Sequence, residues 1–484
     1  PRVRHVGRWG DFGSLKFFGR WEDFSQVVVV EFAGQAVKGK ASDEGFWQVK
    51  LDALKANSAG RVMRIRSIPE EDSVMIRDVL VGDVWFAGGQ SNMDYKVRGM
   101  AQRLADGRKL ADSADFPAIR HRKINERNAP VPQADLNGGS WVVCTPGSVH
   151  GFSGVAFVYA RRLHLELKVP IGVIDCAWGG TPIEPYVPAT AFTGHPTLVK
   201  LAALAKAGDL EAIKKMPGGT YARSPAWLAG AIYNGRIAPV APYGIRGAIW
   251  YQAESNCGRG EDPRDYRHKQ RALVQGWRQV FERKDLPFFY VQLPQWKSYA
   301  WTYAREEQLR AMEIPNTGMA VTIDLDNAND IHPPNKIDVG ERLARWPLAK
   351  LYGKKIPFSG PLFRDMKIQD AEVVVRFNHA RKGLMAGRIE GVGKIIEAED
   401  GVLHGFELVG KDGVWHPAVA KVEGQAVSVK SLQVKRPIAV RYACHPEAPG
   451  DQAWNLYNKA GLPASPFCSD WSKMPYDPAR NPMH

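Results

Sequence analysis

The stretch GDVWFAGGQSNM, Gly82 to Met93, carries an apolar run to two glycines and then sets a serine between two amides. A serine at such a place can cap the helix that follows, or it can offer its hydroxyl to a reacting carbonyl. Acyl transfer asks for more than Ser91. It needs an imidazole to take the hydroxyl proton, an acid to orient that imidazole, and N–H donors for the tetrahedral oxyanion. Three other segments offer those groups: the glycines of WGGTPIE (178–184), the amides and acid of WYQAESN (250–256), and the acid-flanked histidine of DIHPPNK (330–336). Each segment also has a plain reading. GGQSN could be a strand-to-helix turn with Ser91 or Asn92 as its N-cap, WGGT a tight turn, His332 a histidine held by a carbonyl, and DNAND (326–330) a solvated loop.

The elements that must position these residues decide between the readings. A chain of 484 residues exceeds one hydrophobic core, so two or three domains are expected. Residues 1–80 read as a small β-sandwich: SQVVVVEFAGQAVKG, GFWQVKLDAL and RVMRIRSI are β-branched or alternating runs separated by turn signals. Over 81–353 short apolar runs alternate with amphipathic stretches. The runs are 83–89, 169–180, 245–252, 286–296 and 317–325; between them Val155, Tyr159, Leu163 and Leu167 recur every fourth residue, and Leu273, Trp277, Val280 and Phe281 mark one face of a helix. Buried strands separated by helices predict a parallel sheet covered on both faces, a three-layer α/β/α domain. Residues 354–450 lose the helical period and read as a second β-sandwich or jelly-roll module, and 451–484 as a strap packed on the other domains. In an open parallel sheet, ligands bind at the carboxyl ends of the strands. GGQSNM, WGGTPIE, WYQAESN, QLPQW and DLDNANDIHP all follow apolar runs, so a serine, an acid-flanked histidine and two amide-rich turns fall at one edge. That coincidence favours chemistry over four separate plain turns.

Composition narrows the partners. Hydrophobic residues at 44% and charged residues at 24% fit a globular chain, and no apolar run is long enough to span a membrane. The net charge of +14 would suit a nucleic-acid ligand if it were concentrated, but its densest patches, Arg120–Lys123 and Arg264–Arg271, are short and mixed, so nucleic acid is not the expected partner. A dispersed basic surface suits an acidic polysaccharide or plain solvation. Cys144, Cys176, Cys257, Cys444 and Cys468 show no CxxC spacing, so no zinc site is indicated and no metal or cofactor is expected. A start at Pro1 fits a processed or trimmed chain, and the expected location is periplasmic or secreted.

The four blocks GQSNM, WGGTPIE, WYQAESN and DIHPPNK resemble those of the SGNH hydrolases. More narrowly they resemble the sialate O-acetylesterase-like branch, whose members remove acetyl groups from sugars including sialic acids and plant cell-wall polysaccharides. DVLVGDVWFA (78–87), SGPLF (359–363), RPIAVRYA (436–443) and NLYNKAGLPASPF (455–467) extend the resemblance over roughly residues 25–470. It implies an SGNH α/β/α hydrolase domain with flanking β modules, and a serine esterase deacetylating xylan, xyloglucan or a sialic acid through an acetyl-enzyme. Ser91 would be the nucleophile, His332 the general base and Asp330 its orienting acid. The oxyanion hole would draw on the Ser91 N–H, on Gly180 or its neighbour Gly179, and on the Gln252 or Asn256 amide, with Glu254 bracing the nucleophile loop. Two departures stand out. Ala253 replaces the glycine of QGESN, and Asn329 fills the position three before the histidine, leaving Asp324 and Asp326 as alternatives to Asp330, or a Ser–His dyad held by a carbonyl. Trp178, Trp250 and Trp296 beside the strand ends lean towards a neutral polysaccharide held by stacking. The alternatives are a non-catalytic carbohydrate-binding protein and a lipase or thioesterase of the same superfamily.

Overall fold

A computed structural model describes the whole chain except residues 1, 10–13, 21–26, 44–45, 69–72, 217–227, 242, 259, 326–327, 449–452 and 482–484. Its centre is a seven-stranded sheet in the order Val142–Cys144, Phe116–Lys123, Ile171–Asp175, Asp83–Gly89, Gly247–Tyr251, Phe288–Val291, Thr317–Ala320. Every neighbouring pair is parallel except the edge strand Val142–Cys144, which runs antiparallel to Phe116–Lys123. The chain enters at the middle strand Asp83–Gly89, lays the two outer strands on one side and inserts Ile171–Asp175 between them and the middle strand, then crosses to the other side. The switch in direction leaves a crevice at the carboxyl end of that strand. Along it Trp85 and Ala87 face one core cluster and Phe86 the opposite one, which is why an alternating strand reads as a continuous apolar run.

One layer of helices, Gly154–Leu167 and Lys336–Lys350, covers the Trp85 face, where the Trp85 and Tyr159 rings meet edge-on at 5.1 Å. Its first helix opens on Ser153, whose hydroxyl accepts the Ala156 N–H at 3.2 Å, and closes on Lys168 in the left-handed conformation. Helix Tyr266–Val280 covers the other face, with Trp277 against Phe86 at 5.0 Å. This is the α/β/α layering expected from the sequence.

The sheet contains two strands beyond the five expected. FPAIRHRK reads as a basic patch, yet it is the strand Phe116–Lys123. Its polar side chains are neutralised from afar: His121 stacks on Phe152 at 4.5 Å and faces Asp175 at 3.4 Å, and Lys123 reaches Asp94 and Asp175.

On the amino-terminal side, the antiparallel sheet Gln35–Lys40, Val27–Phe32, Asn57–Ile68, Ser73–Val81 packs Val28, Val30, Phe32 and Ile65 against Trp47, Val49 and Leu51 of a second sheet. On the carboxyl-terminal side three antiparallel sheets follow. The strands Leu456–Asn458 and Phe467–Cys468 from the tail complete two of them. Phe406, Tyr442 and Phe467 belong to the same core cluster as Leu273 and Trp277, so these sheets and one face of the hydrolase domain share one interior.

Candidate active site

The nucleophile loop is set by strand pairing. A side chain at Gly88 would strike the Trp250 and Trp277 rings at about 3 Å, and one at Gly89 (φ +135°) would strike the Tyr251 carbonyl at 2.1 Å. These glycines therefore let two strands close on each other. The helix Ser91–Asp94 starts immediately afterwards with Gln90 as its N-cap, and no side chain caps it. Ser91 is thus not the cap. Its hydroxyl instead lies 2.7 Å from His332 Nε2.

The residues on either side of Ser91 clamp it. Gln90 Oε1 accepts from Gln252 Nε2 and from the Ser255 N–H, both at 3.1 Å. Asn92, fully buried, donates to Glu254 at 2.7 Å and to the Ile331 carbonyl at 2.9 Å, and accepts from Lys336 Nζ at 2.5 Å. One amide thereby joins the first, third and fourth blocks. Lys336 is itself fully buried, with its ammonium over the Tyr95 and Tyr251 rings at 5.1 and 5.5 Å. Sequence reasoning missed Lys336 and gave Asn92 only a capping role. The signal was present in the side-by-side SN and in the lysine ending DIHPPNK, but neither partner is legible without the fold. Glu254 braces Asn92, and its burial raises its pKa while the Asn92 bond opposes.

Asp330 does not hold the ring of His332. Its Oδ1 accepts the His332 backbone N–H at 2.8 Å, and its Oδ2 pairs with Arg103 at 2.6 Å. A carboxylate two residues before a histidine is short enough to fold onto its own loop, so it fixes the backbone that carries the imidazole. Asp324 is equally committed elsewhere: Arg342 grips it at 2.6 and 2.7 Å and Tyr457 donates to it at 2.9 Å. Asp326 lies outside the described residues, and Asn329 accepts from Lys297 at 2.7 Å. Among the described residues the imidazole's hydrogen bond is to Ser91 alone. Burial, then the Lys336 cation, pull the His332 pKa below the usual histidine value, with Asp330 opposing and Arg103 assisting. The ring is therefore neutral at pH 7 and able to accept a proton. Partial burial pushes Asp330 upward, but the His332 N–H and Arg103 outweigh it and hold its pKa below the ordinary aspartate value.

The expected oxyanion donors divide. Gly179 is the residue beside the nucleophile: a side-chain carbon there would lie 3.7 Å from Ser91 Cβ. Gly180 is exposed, left-handed at φ +72°, and a side-chain carbon there would have no atom within 4 Å; it makes the turn. Gln252 and Asn256 are not turned towards Ser91. Gln252 Nε2 donates to Gln90, Thr181 and Asn256, while its oxygen accepts from Tyr266 at 2.8 Å. Asn256 Nδ2 serves Glu184 at 3.1–3.2 Å and Glu261 at 2.8 Å, and its oxygen accepts the Ile183 N–H at 2.9 Å. The reason is local charge. Two buried carboxylates, Glu184 and Glu261, share Lys269, and the nearest neutral donor completes their shells. Ala253 sits between these amides at φ +145°, a backbone region suited to the glycine it replaces.

Lys123 adds a second clamp, bonding Asp94 at 2.5 Å and the Ala177 carbonyl at 2.6 Å, and so ties the nucleophile helix to the WGGT loop. Of the three tryptophans, Trp250 is a core residue packed edge-on against Trp277 and Tyr186; Trp178 and Trp296 are partly buried and reach the surface.

The chain is similar to known proteins of one family. The family model described as carbohydrate esterase, sialic acid-specific acetylesterase, matches residues 81–348. The chain is 30% identical to the sialate O-acetylesterase of Rattus norvegicus over 381 residues, 69% of this chain and 68% of the relative. It is 30% identical to that of Homo sapiens over 347 residues, 65% of this chain and 62% of the relative. Among solved structures it is similar to a carbohydrate acetylesterase from Xanthomonas citri, at 32% identity and a TM-score of 0.80 over 95% of this chain and 96% of that one.

Proposed function

The chain belongs to the sialic acid-specific acetylesterase family of carbohydrate esterases, within the SGNH hydrolases, and is a carbohydrate O-deacetylating esterase; from that premise we propose that Ser91 is its nucleophile and His332 its general base. The observation that carries the proposal is the 2.7 Å contact between Ser91 Oγ and the Nε2 of a histidine kept neutral by its surroundings. Ser91 attacks the acetyl carbonyl as His332 takes its proton. The same imidazole returns that proton to the departing sugar oxygen, leaving an acetyl-enzyme that water clears by the reverse sequence. Asp330 acts on the loop backbone and through its charge rather than as a ring partner.

The oxyanion is held by backbone. The Ser91 N–H is a free donor of the first helical turn, and Gly179 of the second block, which lies beside Ser91, is the candidate for the second N–H. Gln90 is the candidate for a third donor, because its oxygen is committed to two N–H groups while its Nε2 has no partner among the described residues. We assign acetylated polysaccharide as the substrate, supported by Trp178 and Trp296 flanking the strand ends, with acetylated sialic acid the reading favoured by the names of the mammalian relatives. Acetate release from acetylated xylan, acetylated sialic acid and p-nitrophenyl acetate, set against an octanoyl ester, tests both assignments. A preference for octanoyl over acetyl would overturn the deacetylase reading, and release only from sialic acid would replace the polysaccharide.

A further inference from the structure

At the other end of the helix that begins four residues beyond His332, the hydrolase domain meets the carboxyl-terminal sheets around a cavity of 730 Å³. Lys350, Lys354, Lys355, Arg381, Lys382 and His379 line it, and no Asp or Glu does. Some surface cations pair with nearby acids, as Arg264 does with Asp262 and Lys394 with Glu390. Here Lys354 alone has a carboxylate, Glu166 at 3.5 Å, while Lys350 rests over the Phe358 ring at 4.5 Å. Lys355, Arg381 and Lys382 are exposed and have no ion pair among the described residues. Burial and the Lys350 charge hold the His379 imidazole below its usual pKa, in keeping with a cavity of one sign. Gathering like charges around a concavity is unfavourable unless an anion enters it.

The position of the cavity sets its role. The helix Lys336–Lys350 runs back from the catalytic edge for 15 residues, about 22 Å, and Trp346 near its end donates to the Met319 carbonyl at 3.0 Å. The cavity is therefore too remote to touch an acetyl group being cleaved at Ser91. We propose that it anchors an acidic polysaccharide, whose uronate carboxylates pair with Lys355, Arg381 and Lys382 while another part of the same chain presents its acetyl ester to Ser91. This rests on the carbohydrate esterase reading. It goes beyond it by assigning a second, non-catalytic carbohydrate site and an anionic class of polymer. A compact concavity on an otherwise charge-mixed surface suits sugar carboxylates better than the extended basic stripe that a nucleic-acid backbone requires. Tethering at the anchor raises the effective concentration of polymer at the active site without altering the chemistry.

The test uses the full chain and its triple variant Lys355→Glu, Arg381→Glu, Lys382→Glu, with binding to polygalacturonate measured by calorimetry and turnover measured on p-nitrophenyl acetate. The expected result is salt-sensitive binding by the wild type, weakened at least ~10-fold in the variant, with p-nitrophenyl acetate turnover unchanged. Unchanged binding in the variant overturns the anchor, as does no binding by the wild type, or duplex DNA bound as tightly as polygalacturonate. Should the triple variant fail to fold, the pair Lys355→Gln and Arg381→Gln carries the same test, with roughly threefold weakening expected. Ser91→Ala separates the two proposals, since it should abolish turnover and keep polygalacturonate binding.

Discussion

Two loops at the carboxyl edge of the sheet are built from the same kinds of residue and do opposite things. In 330–336 the polar groups as far as Asn335 stay partly exposed, with the backbone pinned by Asp330 and by Asn92 and the His332 ring left to face Ser91, while Lys336 alone among them is buried. In 250–256 they turn inward, where Gln252, Glu254 and Asn256 are buried: Gln252 donates to Asn256, Asn256 donates to Glu184 and Glu261 of the cluster around Lys269, and Glu254 accepts from Asn92. What separates them is burial and the presence of buried carboxylates nearby. A buried amide beside two buried acids is drawn into their hydrogen bonding, since leaving them unpaired costs more than any donor it could offer to a transient oxyanion.

Variants can break or sharpen this contrast. The largest effect belongs to the outward loop: His332→Ala should lower kcat by ~10⁴-fold or more with the fold intact, as read by acetate release and circular dichroism. Next comes the inward loop. Asn256→Ala strips a donor from Glu184 and Glu261, so a loss of ~2–3 kcal/mol in urea unfolding is expected, with kcat of the folded enzyme within about tenfold. An amide that served the oxyanion would reverse that pattern, lowering kcat by ~10²- to 10³-fold at unchanged stability.

Lys336→Met joins the two loops in one pH experiment. The base must be neutral, so kcat/KM falls as pH drops through the His332 pKa, which burial and the Lys336 cation hold below the usual value. Removing the cation raises that pKa, and the acid limb of the profile should move to higher pH. An unmoved limb would show that Lys336 braces Asn92 without tuning the base. The smallest effect is Ala253→Gly. Relieving the φ of +145° should raise the thermal midpoint slightly, by roughly 1 kcal/mol of stability, without changing turnover.

The family, the α/β/α class and the convergence of Ser91 with His332 were legible because strand runs and strand ends are written in periodicity, and because four ordered blocks seldom coincide. What was not legible depends on partners distant in sequence. FPAIRHRK looks like a solvated basic patch until Asp94 and Asp175 are brought to Lys123 and His121. Whether Gly179 or Gly180 faces the nucleophile is a matter of φ and approach, which two adjacent glycines cannot signal. Asp330 satisfies the spacing for an orienting acid, yet its short side chain reaches its own loop first. The inward turn of Gln252 and Asn256 follows from Glu184, Glu261 and Lys269, all on other segments or farther along the chain.

The central claim is that Ser91 carries the acetyl group between sugar and water. Acid quenching during turnover of an acetylated saccharide, followed by peptide mass spectrometry, measures it directly. One acetyl group is expected on the peptide containing Ser91, absent from Ser91→Ala, which should also have lost turnover. Acetyl found on another residue, or wild-type turnover in Ser91→Ala, would contradict it.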